Sequence, residues 1–186
     1  LSKPIGRQQF VLGKFLGIIW PIAVMFVFLG VIFFVTVSYK VVYDARESAK
    51  TPPEWQQCYE EMILIVPGLA LALMEAVVLA AISVAISTRV SMIPNLTICA
   101  AVYVIGHLAP MIVESSLADK FEIVGFVGLL IAVVFPVLDH FNIYAAVAGG
   151  AEVPVDYLGW AFVYCAIYCT IMMLLALLLF EDRDLA

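Results

Sequence analysis

From Phe15 to Ser38 the chain carries no charged side chain, and most of its residues there are Ile, Val, Leu, Phe, Met and Ala. As a helix rising about 1.5 Å per residue, this stretch is roughly 36 Å long and exceeds the ~30 Å hydrocarbon core of a bilayer. Further apolar runs follow at about 62–87, 94–113 and 157–180. With 65% hydrophobic and only 13% charged residues, a soluble domain of this size has no interior in which to hide them. The solvent is therefore largely lipid, and the backbone inside it must satisfy its own hydrogen bonds. The expected fold is all-α: a polytopic transmembrane helix bundle of four spans plus one re-entrant or interfacial helix at about 121–138. The net charge of −6, with basic residues beside spans rather than in an aromatic-interleaved patch, argues against nucleic acid as a partner. Four cysteines, three of them within apolar segments, do not form a disulfide framework.

The chain divides into an amphipathic lead-in, 1–14, and a membrane domain, 15–186. Lys3, Arg7 and Lys14 are the only charges of the lead-in, and Phe10, Val11 and Leu12 supply its apolar side. Basic residues beside a span mark its cytoplasmic end. This segment reads either as a topology anchor or as a docking surface for a cytoplasmic partner. Trp20-Pro21 predicts a kink in the first span. Gly13 and Gly17 form a GxxxG pair that lets another helix approach.

The polar stretch 39–61 is expected on the outside, as a solvated loop in preference to an interfacial helix, broken at Thr51-Pro52-Pro53. Trp55 and Tyr59 suit the membrane interface. In the second span Glu75 stands mid-run, where a charge costs on the order of 3 kcal/mol, so it must be protonated, paired or facing a wet cavity. It is a translocation-path candidate, against the plainer reading of a neutral acid bonded to a neighbouring helix. Thr88-Arg89-Val90-Ser91 is a cytoplasmic turn. In the third span, Asn95-Leu96-Thr97 matches a glycosylation sequon but lies at the membrane. His107 and Glu114, seven apart, share a helix face, which suits a relay or an ordinary interfacial histidine.

Placing 121–138 as a re-entrant helix keeps the acidic residues Asp119, Glu122, Asp139, Glu152 and Asp156 outside and Arg183 inside with Lys3, Arg7, Lys14 and Arg89. Asp139-His140 supplies two metal-ligand types without a third. On the last span, Cys165, Cys169, Met172 and Met173 form one soft-sulfur face, a weak metal candidate or simply a packing surface.

No GxxxxGK[ST], GxSxG, HExxH or CxxC motif is present, so neither nucleotide hydrolysis nor covalent catalysis is expected of this chain. The lead-in Lys3-Pro4-Ile5-Gly6-Arg7 through Phe10-Val11-Leu12-Gly13-Lys14-Phe15-Leu16-Gly17 resembles the opening stretch of ABC-type exporter permeases of the type-2 class, including permeases associated with multi-copper enzyme maturation. Ser87-Thr88-Arg89, Pro136-Val137-Leu138-Asp139-His140-Phe141-Asn142 and Phe180-Glu181-Asp182-Arg183-Asp184-Leu185 are similar to further elements of that family. The resemblance implies six spans, of which this chain has what would be spans three to six, as part of a longer chain. It implies a bacterial inner-membrane permease subunit, not itself an enzyme, with both termini of this segment cytoplasmic. It also implies a separate ABC ATPase subunit carrying ATP and Mg, contacts to it through Lys3, Arg7, Phe10, Lys14 and Arg89, and a second permease copy. The reading from another class is a non-transporting membrane scaffold subunit. A third, a proton- or metal-coupled carrier, rests on Glu75, His107 and the cysteine face.

Overall fold

The computed structural model describes residues 6–48, 55–113, 125, 126, 128, 130, 135–149, 151 and 153–181. Among these, three long helices dominate: α1 (Arg7–Glu47), α2 (Trp55–Ile86) and, last in the chain, α5 (Val155–Glu181). Helix α3 (Met92–Val113) follows α2. A 3-10 turn (Leu138–Phe141) and the short α4 (Tyr144–Ala148) precede α5. The described residues contain no strand. Three helices are long and apolar enough to cross a membrane, over Gln8–Glu47, Trp55–Ile86 and Val155–Phe180, and α3 adds the shorter apolar stretch Met92–Leu108. This is an all-α membrane helix bundle.

Helix α1 has 41 residues and is therefore about 60 Å long, twice the hydrocarbon thickness. Its start is closed by Gly6, whose N–H donates to the Gln9 side chain at 3.3 Å while its carbonyl accepts from Phe10 N–H at 3.1 Å. The helix runs on through Pro21. Here the structure corrects the loop expected over 39–61: Tyr39–Glu47 continues α1, and α2 is already helical from Trp55. Two local features favour helix there. Tyr39 stacks on Tyr43 one turn later, and Tyr43 donates to Glu47 Oε1 at 2.7 Å. Thr51-Pro52-Pro53 lies outside the described residues, as does most of 121–138.

Helix α2 is the hub. In its apolar span 44% of residues are buried, against 6% in α1 and 17% in α5, so α2 is covered by the others while they face outward. One core joins Leu71, Val78 and Ile82 of α2, Val102 of α3, Leu138 and Phe141 of the 3-10 turn, and Ala161 and Cys165 of α5. Lipid tails are as apolar as these side chains, so close packing rather than water exclusion holds such helices together. Small residues at the contacts serve that packing: Ala80, Ala81, Ala85, Ala161 and Ala176 are all buried. At Gly106 a Cβ would stand 2.7 Å from the Pro136 carbonyl oxygen and 2.8 Å from Leu138 Cγ. Only glycine lets α3 and the 3-10 segment meet there. A polar clasp adds to this, with Asn95 Nδ2 of α3 donating to Ser83 Oγ of α2 at 3.0 Å.

Candidate functional site

Two places bring chemistry-bearing side chains together. The first is the end of the bundle where α1 begins and α2 and α5 finish. Val11, Val84, Ala85 and Ala176 form a separate buried cluster there, with Phe15, Ile18, Met173 and Leu177 packed against it. Phe10 stacks on Phe180 with ring centroids 5.6 Å apart. Lys14 Nζ donates to Ser87 Oγ at 2.6 Å, and Ser87 donates to the Val84 carbonyl at 2.7 Å. Thr88 closes the end of α2 by donating to the Ala85 carbonyl at 2.8 Å. A small cavity of about 130 Å³ opens between Phe10, Lys14, Ser87 and Phe180. Arg89 is exposed in the turn just beyond. Phe10, Lys14 and Arg89, which lie far apart in sequence, thus share one end of the bundle, and the backbone of Arg7 starts the helix at that end. Lys3 lies outside the described residues. Ser87 and Phe180, which meet Lys14 and Phe10 here, stand in the family-like strings 87–89 and 180–185, but those strings do not say which side chains they meet.

The second place is inside the bundle. Glu75 of α2 is 7% exposed, and its Oε1 lies 3.5 Å from Nε2 of His107 on α3. His107 Nδ1 is 3.1 Å from the Tyr103 carbonyl oxygen, a contact that places a proton on Nδ1. Nε2 is therefore the nitrogen turned to the carboxyl. Tyr103 also packs its ring on the imidazole, centroids 4.6 Å apart. At 3.5 Å the pair is in ion-pair range but beyond a normal hydrogen bond. Glu75 Oε1 is fully enclosed and has no hydrogen-bond partner. Glu114, which the sequence sets on a face with His107, lies outside the described residues. The sequence does hold a signal for the pair that is found. Glu75 stands about 17 Å along α2 from its end at Ile86, and His107 about 22 Å along α3 from its start at Met92. Two ionisable groups at comparable depth on helices joined by one short turn are placed to meet.

The soft-sulfur face of α5 is turned to packing. Cys165 Sγ is 3.6 Å from the Met74 carbonyl oxygen and Cys169 Sγ 3.9 Å from that of Val77, so both thiols point at the backbone of α2. Cys169 and Met172 pack against the main core. Among the described residues no group of three or more His, Cys, Asp or Glu is arranged to hold a metal ion. Asp139 and His140 are exposed on the 3-10 turn, where Asn142 Nδ2 donates to Asp139 Oδ1 at 3.4 Å.

Against known families, the description "ABC-2 family transporter protein" matches residues 1–185. The chain belongs to this family. Comparison with curated proteins and with solved structures gave no match. As an ABC-2 transporter protein it is a multi-pass membrane protein of a transport system, and its family normally works with an ABC ATPase subunit. The motifs along 1–17, 87–89, 136–142 and 180–185 thus point to the family that the whole-chain match names.

Proposed function

We propose that this ABC-2 protein is the permease subunit of an ATP-driven exporter, and that the ATPase subunit seats against the end formed by Phe10, Lys14, Phe180 and Arg89. The observation that carries the reading is the convergence of three helix ends on a surface that exposes Lys14 and Arg89 and continues without interruption into α1. The same end is the cytoplasmic one. It carries Arg7, Lys14 and Arg89 against Glu181, the last residue of α5, whereas the opposite end mixes Lys40 and Arg46 with Asp44, Glu47, Glu60 and Glu61. Short basic flanks face the cell interior. With no nucleotide-binding loop in the chain, ATP and Mg belong to the partner.

The mechanical consequence follows from continuity. A helix is stiff along its axis, and α1 has no described break between Arg7 and Glu47. A push on its first two turns moves the whole rod. The Lys14–Ser87 bond and the Phe10–Phe180 stack pass the same push to α2 and α5. Closure of the ATPase then rocks these helices relative to those of a second copy of the chain, opening the path to the outer side.

The test is co-purification. Replacing Arg7 and Phe10 together in the full chain, expressed with its ATPase, is expected to lower the recovered ATPase at least tenfold while the permease still reaches the membrane. Full recovery of the ATPase would refute the docking surface.

A further inference from the structure

Helix α3 rests on the bundle by one narrow strip. Among its described residues Val102 and Gly106 alone are buried, and Asn95 and Cys99 continue the strip, half-buried, at spacings of three and four residues. Near the start of α3 the strip is fastened by the Asn95–Ser83 hydrogen bond, beside the short turn that joins α3 to α2. About 18 Å further along the helix comes the Glu75–His107 contact. Between the two lie Val102 in the main core and Gly106 against the 3-10 segment, both uncharged contacts. Among the described residues, the far half of α3 is therefore held by close packing and by one pair of ionisable groups.

That pair is neutral with one proton and charged with any other number. His107 Nδ1–H is committed to the Tyr103 carbonyl, so the atoms that face each other are Nε2 and Glu75 Oε1. With one proton they are either carboxylate and imidazolium or carboxylic acid and imidazole. With none, two acceptors face each other at 3.5 Å and an enclosed carboxylate has no counter-charge, which is costly. With two, an imidazolium faces a neutral acid and its own charge goes unanswered. We propose that the pair is a one-proton latch: it holds the far half of α3 on α2 while the proton is bound. When the proton leaves, α3 swings away from α2, pivoting at Asn95 and the turn before it.

The proton balance fixes the direction of the pH response. A wetted glutamate is ionised above about pH 5, and a wetted histidine is largely neutral above about pH 7. Opening above pH 7 therefore gives one proton to water and leaves a carboxylate and a neutral imidazole. Between about pH 5 and 6 a separated imidazole keeps the proton, so opening moves none. By linkage the open fraction is flat in the lower range and rises up to about tenfold per pH unit above pH 7. His107 is the less enclosed partner, 22% exposed against 10%, so exchange with solvent passes through the imidazole. The other titratable groups around the pair are Tyr103 of α3, Tyr144 of α4, and the Cys165 and Cys169 thiols of α5 on the Met74 and Val77 carbonyls. The 3-10 turn adds Asp139 and His140, both exposed, and α1 carries no charged side chain from Phe15 to Ser38.

The experiment is a double electron–electron resonance distance measurement on the full chain in phosphatidylcholine nanodiscs, without ATPase. Spin labels are carried by p-acetylphenylalanine in place of Val66 on α2 and Met111 on α3, both exposed, so the native cysteines stay. One short-distance population is expected from pH 5.5 to 6.5, and a longer one that grows at least threefold from pH 7 to 8. Glu75→Gln keeps the shape, and its amide donates to Nε2 without a proton from solvent. In that variant the long population is expected to stay constant across the range, which also separates the pair from every other titrating group. Distances independent of pH in the parent chain overturn the proposal. So does a Glu75→Gln chain whose long population still grows with pH. Because no ATPase is present, failure here leaves the co-purification result standing, and the converse also holds.

Discussion

Lys14 on α1 and Ser87 at the end of α2 meet at 2.6 Å, the ammonium donating to the hydroxyl. The contact is solvent-exposed, and Ser87 has a second partner in the Val84 carbonyl. Exposed hydrogen bonds contribute about 1 kcal/mol or less to stability. Ser87→Ala should therefore leave thermal unfolding of the purified chain nearly unchanged, while Lys14→Glu should lower ATPase co-purification severalfold by reversing a charge on the docking surface. A large unfolding shift in Ser87→Ala would show that the bond is structural instead.

The Glu75–His107 contact is testable as a double-mutant cycle. Replacing His107 leaves the Glu75 carboxyl enclosed and unpaired, at a cost of about 1–3 kcal/mol, whereas His107 without Glu75 is partly exposed and keeps its Tyr103 contact, so its stranding costs less. His107→Leu and Glu75→Leu should each destabilise the bundle in a steric-trap or denaturant assay. The double variant should cost less than the sum by about 1 kcal/mol, the scale of polar pairs between membrane helices. Strict additivity would show that the two side chains do not interact.

Three glycines form a graded series. Gly106→Ala drives a Cβ to 2.7 Å from a backbone oxygen, which cannot rotate away, and should cost about 1–3 kcal/mol. Gly30→Ala meets only the Leu69 Cδ2 methyl at 2.8 Å, the tip of a flexible side chain, and should cost less. Gly159→Ala meets nothing within 4 Å and should be neutral or slightly stabilising. Unfolding midpoints of the three variants check the order, and a Gly106→Ala protein as stable as Gly159→Ala would contradict the close approach of α3 to the 3-10 segment.

Helix α1 turns Val24, Val27, Phe28, Val31 and Val35 outward, a single face at helical spacing, all more than half exposed. If the second permease copy docks on this face, a cysteine at Val27 or Val31, in a background lacking the four native cysteines, should yield disulfide-linked dimers in native membranes. A cysteine at Val11, which is 1% exposed, should not. Equal cross-linking at both positions would move the dimer contact elsewhere.

The thiols of Cys165 and Cys169 face α2 carbonyls, so slow alkylation is expected in the folded chain and fast alkylation after denaturation in detergent. Rapid labelling of Cys165 in native membranes would show that α5 moves away from α2.

What could be read from residues in order was whatever depends on local composition. Charge-free runs of spanning length dictate helices in lipid, because only a helix satisfies all its backbone hydrogen bonds within one segment. The short motifs at both ends and in the turns led to the family for the same reason, being local strings. The polar stretch 39–61 misled, since its charges suggested a loop, whereas helix propensity and the Tyr39–Tyr43–Glu47 ladder carry α1 to Glu47. Proline content gave no better guide: Pro21, Pro67 and Pro110 all lie inside helices.

By itself, then, the sequence determined that the protein is helical, that it lives in a membrane, and which transporter family it belongs to. Only the tertiary structure decided that α2 is the hub, that Glu75 takes His107 as its partner, and that Phe10, Lys14 and Arg89 share one end with Phe180. The physical reason is that apolar helices in lipid look alike from every side. Which faces meet is settled by small residues, depth and side-chain fit across the whole bundle, and none of these can be read from one helix alone.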